Sequence, residues 1–180
     1  ENISTCINNG IPVISGTTGW LENYHEMVQL CEAKNAAFLY GSNFSLGVNL
    51  FFELNDYLAK MMSKFKEYNV SMEEIHHTQK LDKPSGTAIS LANAIINHTD
   101  KNNWAIENPT PEAVFIDVKR EENVPGTHSV LYTSEVDYIK IEHVAHNREG
   151  FALGSIIAAE WIIGKKGVFN MKDVLSLNSK

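Results

Sequence analysis

The 180-residue sequence is poor in cysteine, with two, and in proline, with five. Cys6 and Cys31 fit neither a disulfide framework nor a paired metal knuckle, and they read as small buried hydrophobes in a reducing compartment. No apolar run reaches the roughly 18 to 20 residues that a bilayer crossing requires. The first residues also lack the basic start and apolar stretch of a secretory signal. The expectation is a cytoplasmic protein with no membrane partner. Positive charge is short as well: 15 Lys and Arg stand against 22 Asp and Glu, a formal charge of −7 with histidine neutral. That argues against nucleic acid, whose phosphates are held by clustered cations that release counterions. Internal repeats and low-complexity tracts are missing. What is present is ordinary globular composition, 43% hydrophobic and 21% charged with 11 glycines. The length suits one large domain or two small ones, with enough core to fold without staples.

Along the chain, residues 1–9 (ENISTCINN) read as the end of a helix stopped at Asn9-Gly10. With no initial methionine, the sequence reads as lacking an N-terminal segment. Residues 11–15 (IPVIS) form an apolar strand candidate feeding the turn Gly16-Thr17-Thr18-Gly19, with a helix from about Glu22 to Asn35. A second candidate strand at 37–40 (AFLY) runs into the polar loop Gly41-Ser42-Asn43-Phe44-Ser45. In an open parallel sheet ligands sit at the carboxyl ends of strands, so these two loops are expected to line one crevice. From Leu46 the residues Leu46, Leu50, Phe51, Leu54, Tyr57, Leu58, Met61 and Phe65 recur at helical spacing, predicting a long helix to about Lys66 whose stripe packs in the core. A strand is expected at 70–77, a helix at 88–96 and a polar linker at 97–111. Strands at 113–119, 127–133 and 138–144 suggest an antiparallel or mixed sheet. The final helix, after Arg148, carries Gly150, Gly154 and Ala158 four apart, a stripe suited to close backbone packing. Residues 168–177 read as a surface turn and short helix.

The densest constellation is EEIHHTQKLDKPSGTA at 73–88. Ser85 is a good helix N-cap, and Gly86 lets a ligand approach the backbone. The free amides of the first helical turn then face an anion at the positive end of the helix dipole. Lys80 adds mobile positive charge, and His76 and His77 bring the side chain whose ordinary pKa lies nearest neutrality. An acidic substrate that receives a proton is the natural reading. Neighbours on a strand point to opposite faces, so the two histidines are expected to do different jobs.

The run IHHTQKLDKPSGTA closely resembles the signature of the 4-hydroxy-tetrahydrodipicolinate reductases, also called dihydrodipicolinate reductases. Gly16-Thr17-Thr18-Gly19-Trp20 resembles the family's GTTG loop. Residues 42–49 (SNFSLGVN) resemble its NFS-x-GVN segment, Gly126-Thr127-His128 its G-x-H strand start, and residues 143–152 and 167–175 its C-terminus. The resemblance covers nearly the whole sequence. It implies an α/β protein with an α+β substrate domain: the remnant of a Rossmann-type parallel sheet plus a substrate and tetramerisation domain with a mixed sheet. The implied domains are 1–44, the C-terminal part of the dinucleotide-binding domain; 45–147, for substrate binding and oligomerisation; and 148–180, the return to the first domain. The implied reaction is hydride transfer from NADH or NADPH to a cyclic dicarboxylate in diaminopimelate and lysine biosynthesis, by a homotetramer that needs no metal. By motif position, His76 becomes the acid/base residue and Lys80 the proton donor. His77 and the amides of Ser85, Gly86 and Thr87 hold substrate carboxylates. Gly16, Thr17 and Thr18, with Gly41, Ser42, Asn43 and Phe44, contact the nicotinamide side of the cofactor, and Arg148 reaches it as well.

Two departures stand out. The family's glycine-rich phosphate loop is absent, so the fragment alone is expected to bind cofactor poorly. The stretch KREENVP at 119–125 replaces one that in relatives carries Arg with a nearby Gly, and no role is assigned to Arg120. Two other classes compete. A non-catalytic dicarboxylate-binding or oligomerisation domain would use the same anion site without turnover. A metal-dependent hydrolase would use His76, His77, His143 and His146 with Glu74 or Glu142. His143 and His146, three apart on an expected strand, face opposite sides and do not readily share an ion. His25, His98 and His128 read as surface or structural.

Overall fold

In the computed structural model, which describes residues 1–17 and 19–177, the elements run α1 (Asn2–Asn8), β1 (Val13–Ser15), a 3-10 turn (Leu21–Asn23), α2 (Tyr24–Ala33), β2 (Ala37–Tyr40) and α3 (Leu46–Met62). They continue with β3 (Asn69–His76), α4 (Gly86–His98), β4 (Asn103–Ala105), β5 (Ala113–Arg120), β6 (Gly126–Thr133), β7 (Tyr138–Ala145), α5 (Glu149–Trp161), β8 (Gly167–Phe169) and α6 (Met171–Val174). Two units emerge: Glu1–Asn49 with Glu149–Lys180, and Leu50–Arg148.

The first unit is built on a three-stranded parallel sheet in the order β1-β2-β8. The central strand β2 is apolar at every position because it is covered on both faces. Ala37 and Leu39 pack with Phe44, Ala158, Ile162, Met171 and Val174 on one side, and Phe38 with Ile7, Met27 and Cys31 on the other. Phe38 and Leu39 retain no exposed surface, and each contributes about 1.5–3 kcal/mol of transfer free energy. Residues 168–177 are therefore not a surface turn. β8 completes the sheet through register with β2, and Met171 and Val174 are buried beneath it. A three-residue strand whose partner lies far away in sequence leaves no local periodicity to read.

The second unit is a five-stranded mixed sheet in the order β4-β5-β3-β6-β7. β3 pairs in parallel with β5 and antiparallel with β6, and β6 pairs antiparallel with β7. Its core gathers Phe51, Leu58 and Met62 of α3, Leu91 and Ile95 of α4, and Met72, Ile116, Val130 and Tyr132 of the sheet. Buried Asn55 ties α3 to α4 by donating to the Leu91 carbonyl at 3.0 Å. Residues 97–111 are more than a polar linker, since β4 adds an edge strand and Trp104 and Ile106 pack on the core.

The α3 stripe also departs from expectation. Only Phe51 and Leu58 of the eight periodic residues are buried, while Leu46, Leu50, Leu54, Tyr57, Met61 and Phe65 are 40% or more exposed. The core-facing side is instead made by Val48, Phe51, Leu58, Ala59 and Met62 with Asn55. The helix is apolar on two faces, and periodicity alone does not say which is inside.

Candidate active site

Alternation along β3 puts Val70, Met72, Glu74 and His76 on its buried face. Two polar residues at the end of an otherwise apolar row need partners, since an unpaired buried carboxylate is heavily penalised. The Glu74 carboxylate finds four. Its Oε2 accepts from the Ser85 amide at 2.9 Å and from the Ser85 hydroxyl. Its Oε1 accepts from Arg120 Nη1 and Nη2, both at 3.2 Å. All four lone-pair positions of the carboxylate are filled.

Ser85 is equally committed. Having given its hydroxyl proton to Glu74, Oγ accepts from the Ala88 amide at 3.2 Å as the N-cap of α4. It lies 3.1 Å from His128 Nε2, which the network assigns as the protonated ring nitrogen. Gly86 is exposed, and the space where a Cβ would stand is open to 4 Å. The start of α4 is thus braced from below by Ser85 and open above Gly86. Thr87, next in the helix, and His77, just past the end of β3, are half-buried.

Between β3 and α4 the loop carries Lys80, whose ammonium pairs with Asp82 at 2.9 Å. That hydrogen bond holds the Asp82 carboxyl below its usual range. Arg120, at the end of β5, grips the same loop from beneath. Nε donates to the Lys80 carbonyl at 3.3 Å and Nη2 to the Asp82 carbonyl at 2.7 Å, while Nη1 donates to the Lys119 carbonyl at 2.7 Å.

The His76 and His128 rings meet edge to face with centroids 4.9 Å apart. Burial, opposed in part by Glu74, pushes the His76 pKa down to about 4. Burial, with the neighbouring His76 ring, pushes His128 down to about 3. Both are neutral at pH 7. His76 Nδ1 is buried with no hydrogen-bond partner among the described residues. Its other edge lies against Gly126, where a Cβ would stand 3.1 Å from Nε2. A larger residue there would have to push the ring back by a few tenths of an ångström.

Glu74, His76 and His128 also present ligand atoms within 4.8 Å of one another. The carboxylate is already saturated by Ser85 and Arg120, so a cation would have to displace one of them. His143 stands on β7 opposite His128 in the β6-β7 register, with a buried Nδ1, and its ring meets Phe51 with centroids 6.1 Å apart.

In the first unit, the loops after β1 and β2 leave the carboxyl ends of adjacent parallel strands, and the Gly41 amide donates to the Ser15 carbonyl at 3.1 Å. A Cβ on Gly16 would stand 3.0 Å from the Phe44 ring, and one on Gly41 3.3 Å from Met171 Cγ. Phe44 is 8% exposed and packs in the core, so its ring braces the loop from inside. Asn43 accepts from the Ser45 amide at 2.9 Å. Thr17 and Ser42 are exposed, and Thr18 lies outside the described residues. Arg148 is exposed at the end of the second unit.

Sequence reasoning had picked out His76, His77, Lys80, Ser85, Gly86 and Thr87, and these do share one strand end, loop and helix start. Glu74, named from sequence only as a metal ligand, Arg120, given no role, and His128, read as surface or structural, join the same cluster. Glu74 was within reach, being two residues before His76 on a strand and therefore on the same face. The pairing of Arg120 with His76 across β3 and β5 is a long-range register that leaves no local signal.

A family model described as dihydrodipicolinate reductase, C-terminus, matches residues 47–175. The chain is also 54% identical to the 4-hydroxy-tetrahydrodipicolinate reductase of Christiangramia forsetii, over 98% of this chain and 74% of that protein. The chain belongs to the dihydrodipicolinate reductase family. A more distant reductase of the family, from Methanoculleus marisnigri, is 32% identical over 98% of this chain and 71% of its own length. The fold agrees. A dipicolinate-bound dihydrodipicolinate reductase from Paenisporosarcina sp. TG-14 superposes with a TM-score of 0.72 at 22% identity, covering 96% of this chain and 68% of that one.

Proposed function

We propose that this protein catalyses the NADH- or NADPH-dependent reduction of 4-hydroxy-tetrahydrodipicolinate to tetrahydrodipicolinate in diaminopimelate and lysine biosynthesis. One observation carries the reading: His76 and Lys80 stand on a strand end and loop that run into the open N-terminus of α4, in a member of a family whose relatives bear that reductase name. Such an arrangement suits a dianionic ring that must be gripped by its carboxylates and then protonated.

The site residues divide the work. Gly86 and Thr87 take a substrate carboxylate at the helix start, with His77 beside them. Ser85, whose amide serves Glu74, fixes the turn that presents them. Lys80 delivers the proton that quenches the electron density left on the ring, and the incoming dicarboxylate replaces Asp82 as its counter-ion. His76, neutral in the free protein, is the acid/base group next to it, gaining basicity from the negative charge of the bound substrate. A reduced nicotinamide, when bound, supplies the hydride. The backbone-lined loops at the ends of β1 and β2 suit such a group. The residues proposed to hold it are Gly16, Thr17, Thr18, Gly41, Ser42, Asn43 and the Phe44 backbone, with Arg148. In this reading 1–44 and 148–180 belong to the nucleotide domain and 45–147 to the substrate domain, which assembles a homotetramer.

The test is a steady-state reductase assay on the complete gene product and its Lys80→Ala variant. Turnover by the parent and a fall in kcat of about 10²- to 10⁴-fold in the variant are expected, with unchanged circular dichroism. An undiminished rate in Lys80→Ala would remove Lys80 from the chemistry.

A further inference from the structure

We propose that Glu74 and Arg120 act as a pair of positioning residues that set the loop carrying Lys80 and the start of α4 in one geometry. The inference rests on the reductase reading and adds to it two residues that touch no substrate there. Neither residue is on the loop, yet between them they hold both of its ends. Glu74 fixes the far end, taking the amide and the hydroxyl of Ser85, the residue that caps α4. Arg120 fixes the near end by donating to the carbonyls of Lys80 and Asp82. The paired donation of Nη1 and Nη2 to Glu74 Oε1 joins the two grips.

Donor counting makes the device specific to arginine. A guanidinium has five N–H groups, and the five contacts of Arg120 fall on three carbonyls and one carboxylate oxygen. A lysine ammonium offers three donors from a single point and no fork. Stability alone is a poor account of the pair, because buried ion pairs are frequently matched or bettered by apolar residues of equal volume. What an apolar pair could not do is aim two main-chain carbonyls and a capping serine. Both side chains are out of solvent, Glu74 at 0% and Arg120 at 10% exposure, so their geometry is held without competition from water. Displacements of about 1 Å at reacting groups cost about 10²-fold in rate, which is the scale on which such aiming matters.

The experiment compares parent, Arg120→Lys, Arg120→Gln and Glu74→Gln in the complete gene product, with thermal midpoints recorded so that kinetics are read where each variant is folded. The readouts are kcat, the KM of each substrate, and the affinity for pyridine-2,6-dicarboxylate by calorimetry. Expected for Arg120→Lys is a kcat lower by about 10- to 100-fold, with weaker dicarboxylate binding and a cofactor KM within about twofold of the parent. A merely structural role would lower the midpoint and leave these ratios alone. Folded Arg120→Lys and Glu74→Gln proteins with kcat and dicarboxylate affinity within about twofold of the parent would overturn the proposal while the reductase reading stands. A parent without reductase turnover would overturn the reading and the proposal together. Should Glu74→Gln or Arg120→Gln fail to fold, Arg120→Lys, which keeps the charge, decides the matter.

Discussion

At the scale of single residues, the cluster around Glu74 illustrates two ways of keeping polar groups dry. The carboxylate stays in the interior by filling every lone pair, whereas the histidines beside it stay by giving up their charge. The second route has a consequence for acid stability. His128 has an ordinary value of 6.5 and is held near 3 in the folded chain. Between those two values the unfolded chain binds the extra proton and the native state does not, so stability is lost as pH falls below 6.5. From pH 7 to pH 5 this ring alone should remove about 2 kcal/mol, and His76 acts in the same direction. Denaturant unfolding at several pH values checks this: His128→Gln, which keeps a donor toward Ser85 but does not titrate, should flatten the slope. An unchanged slope would mean that the His128 ring is not the buried neutral base described here.

At the scale of elements, the small-residue stripe of α5 does what its spacing promised. A Cβ on Gly154 would stand 1.8 Å from the Phe44 carbonyl oxygen, Gly150 comes within 3.7 Å of Ser45 Oγ in the same sense, and Ala158 is fully buried. The helix therefore presses its backbone directly on the loop after β2. Gly154→Ala should force the two apart and cost about 1–3 kcal/mol or more in unfolding free energy, measured by denaturant titration. A variant as stable as the parent would show that the loop yields easily. Features of this sort were legible because the sequence states them locally: a glycine ladder, a serine before Gly86, an apolar AFLY. β4 and β8 were not legible, since three-residue strands exist only by virtue of partners far along the chain. The candidate site divides in the same way. His76, Lys80 and Ser85 announce themselves within ten residues of sequence, while Arg120 and His128 arrive by way of β5 and β6 and become meaningful only when the sheet is assembled.

At the scale of the whole molecule, no helix among the described residues is long and apolar enough to cross a membrane, and the sequence carries a formal charge of −7. Even so, Leu46, Leu50, Leu54, Tyr57 and Met61 leave α3 with a greasy outer edge, which exposed Phe65 continues just past its end. An edge of that kind governs handling in solution more than it governs folding. The isolated 180-residue chain should brighten an environment-sensitive dye such as anilinonaphthalene sulfonate while still native, and should be retained on a phenyl column as ammonium sulfate rises. Leu54→Lys with Tyr57→Lys should reduce both effects without lowering the thermal midpoint, as neither side chain is in the core. Equal dye response in the double variant would locate the stickiness elsewhere on the surface. For anyone concentrating this protein, one side of one helix then contributes to colloidal behaviour, and that share is tunable by two substitutions that leave β3, its loop and the start of α4 untouched.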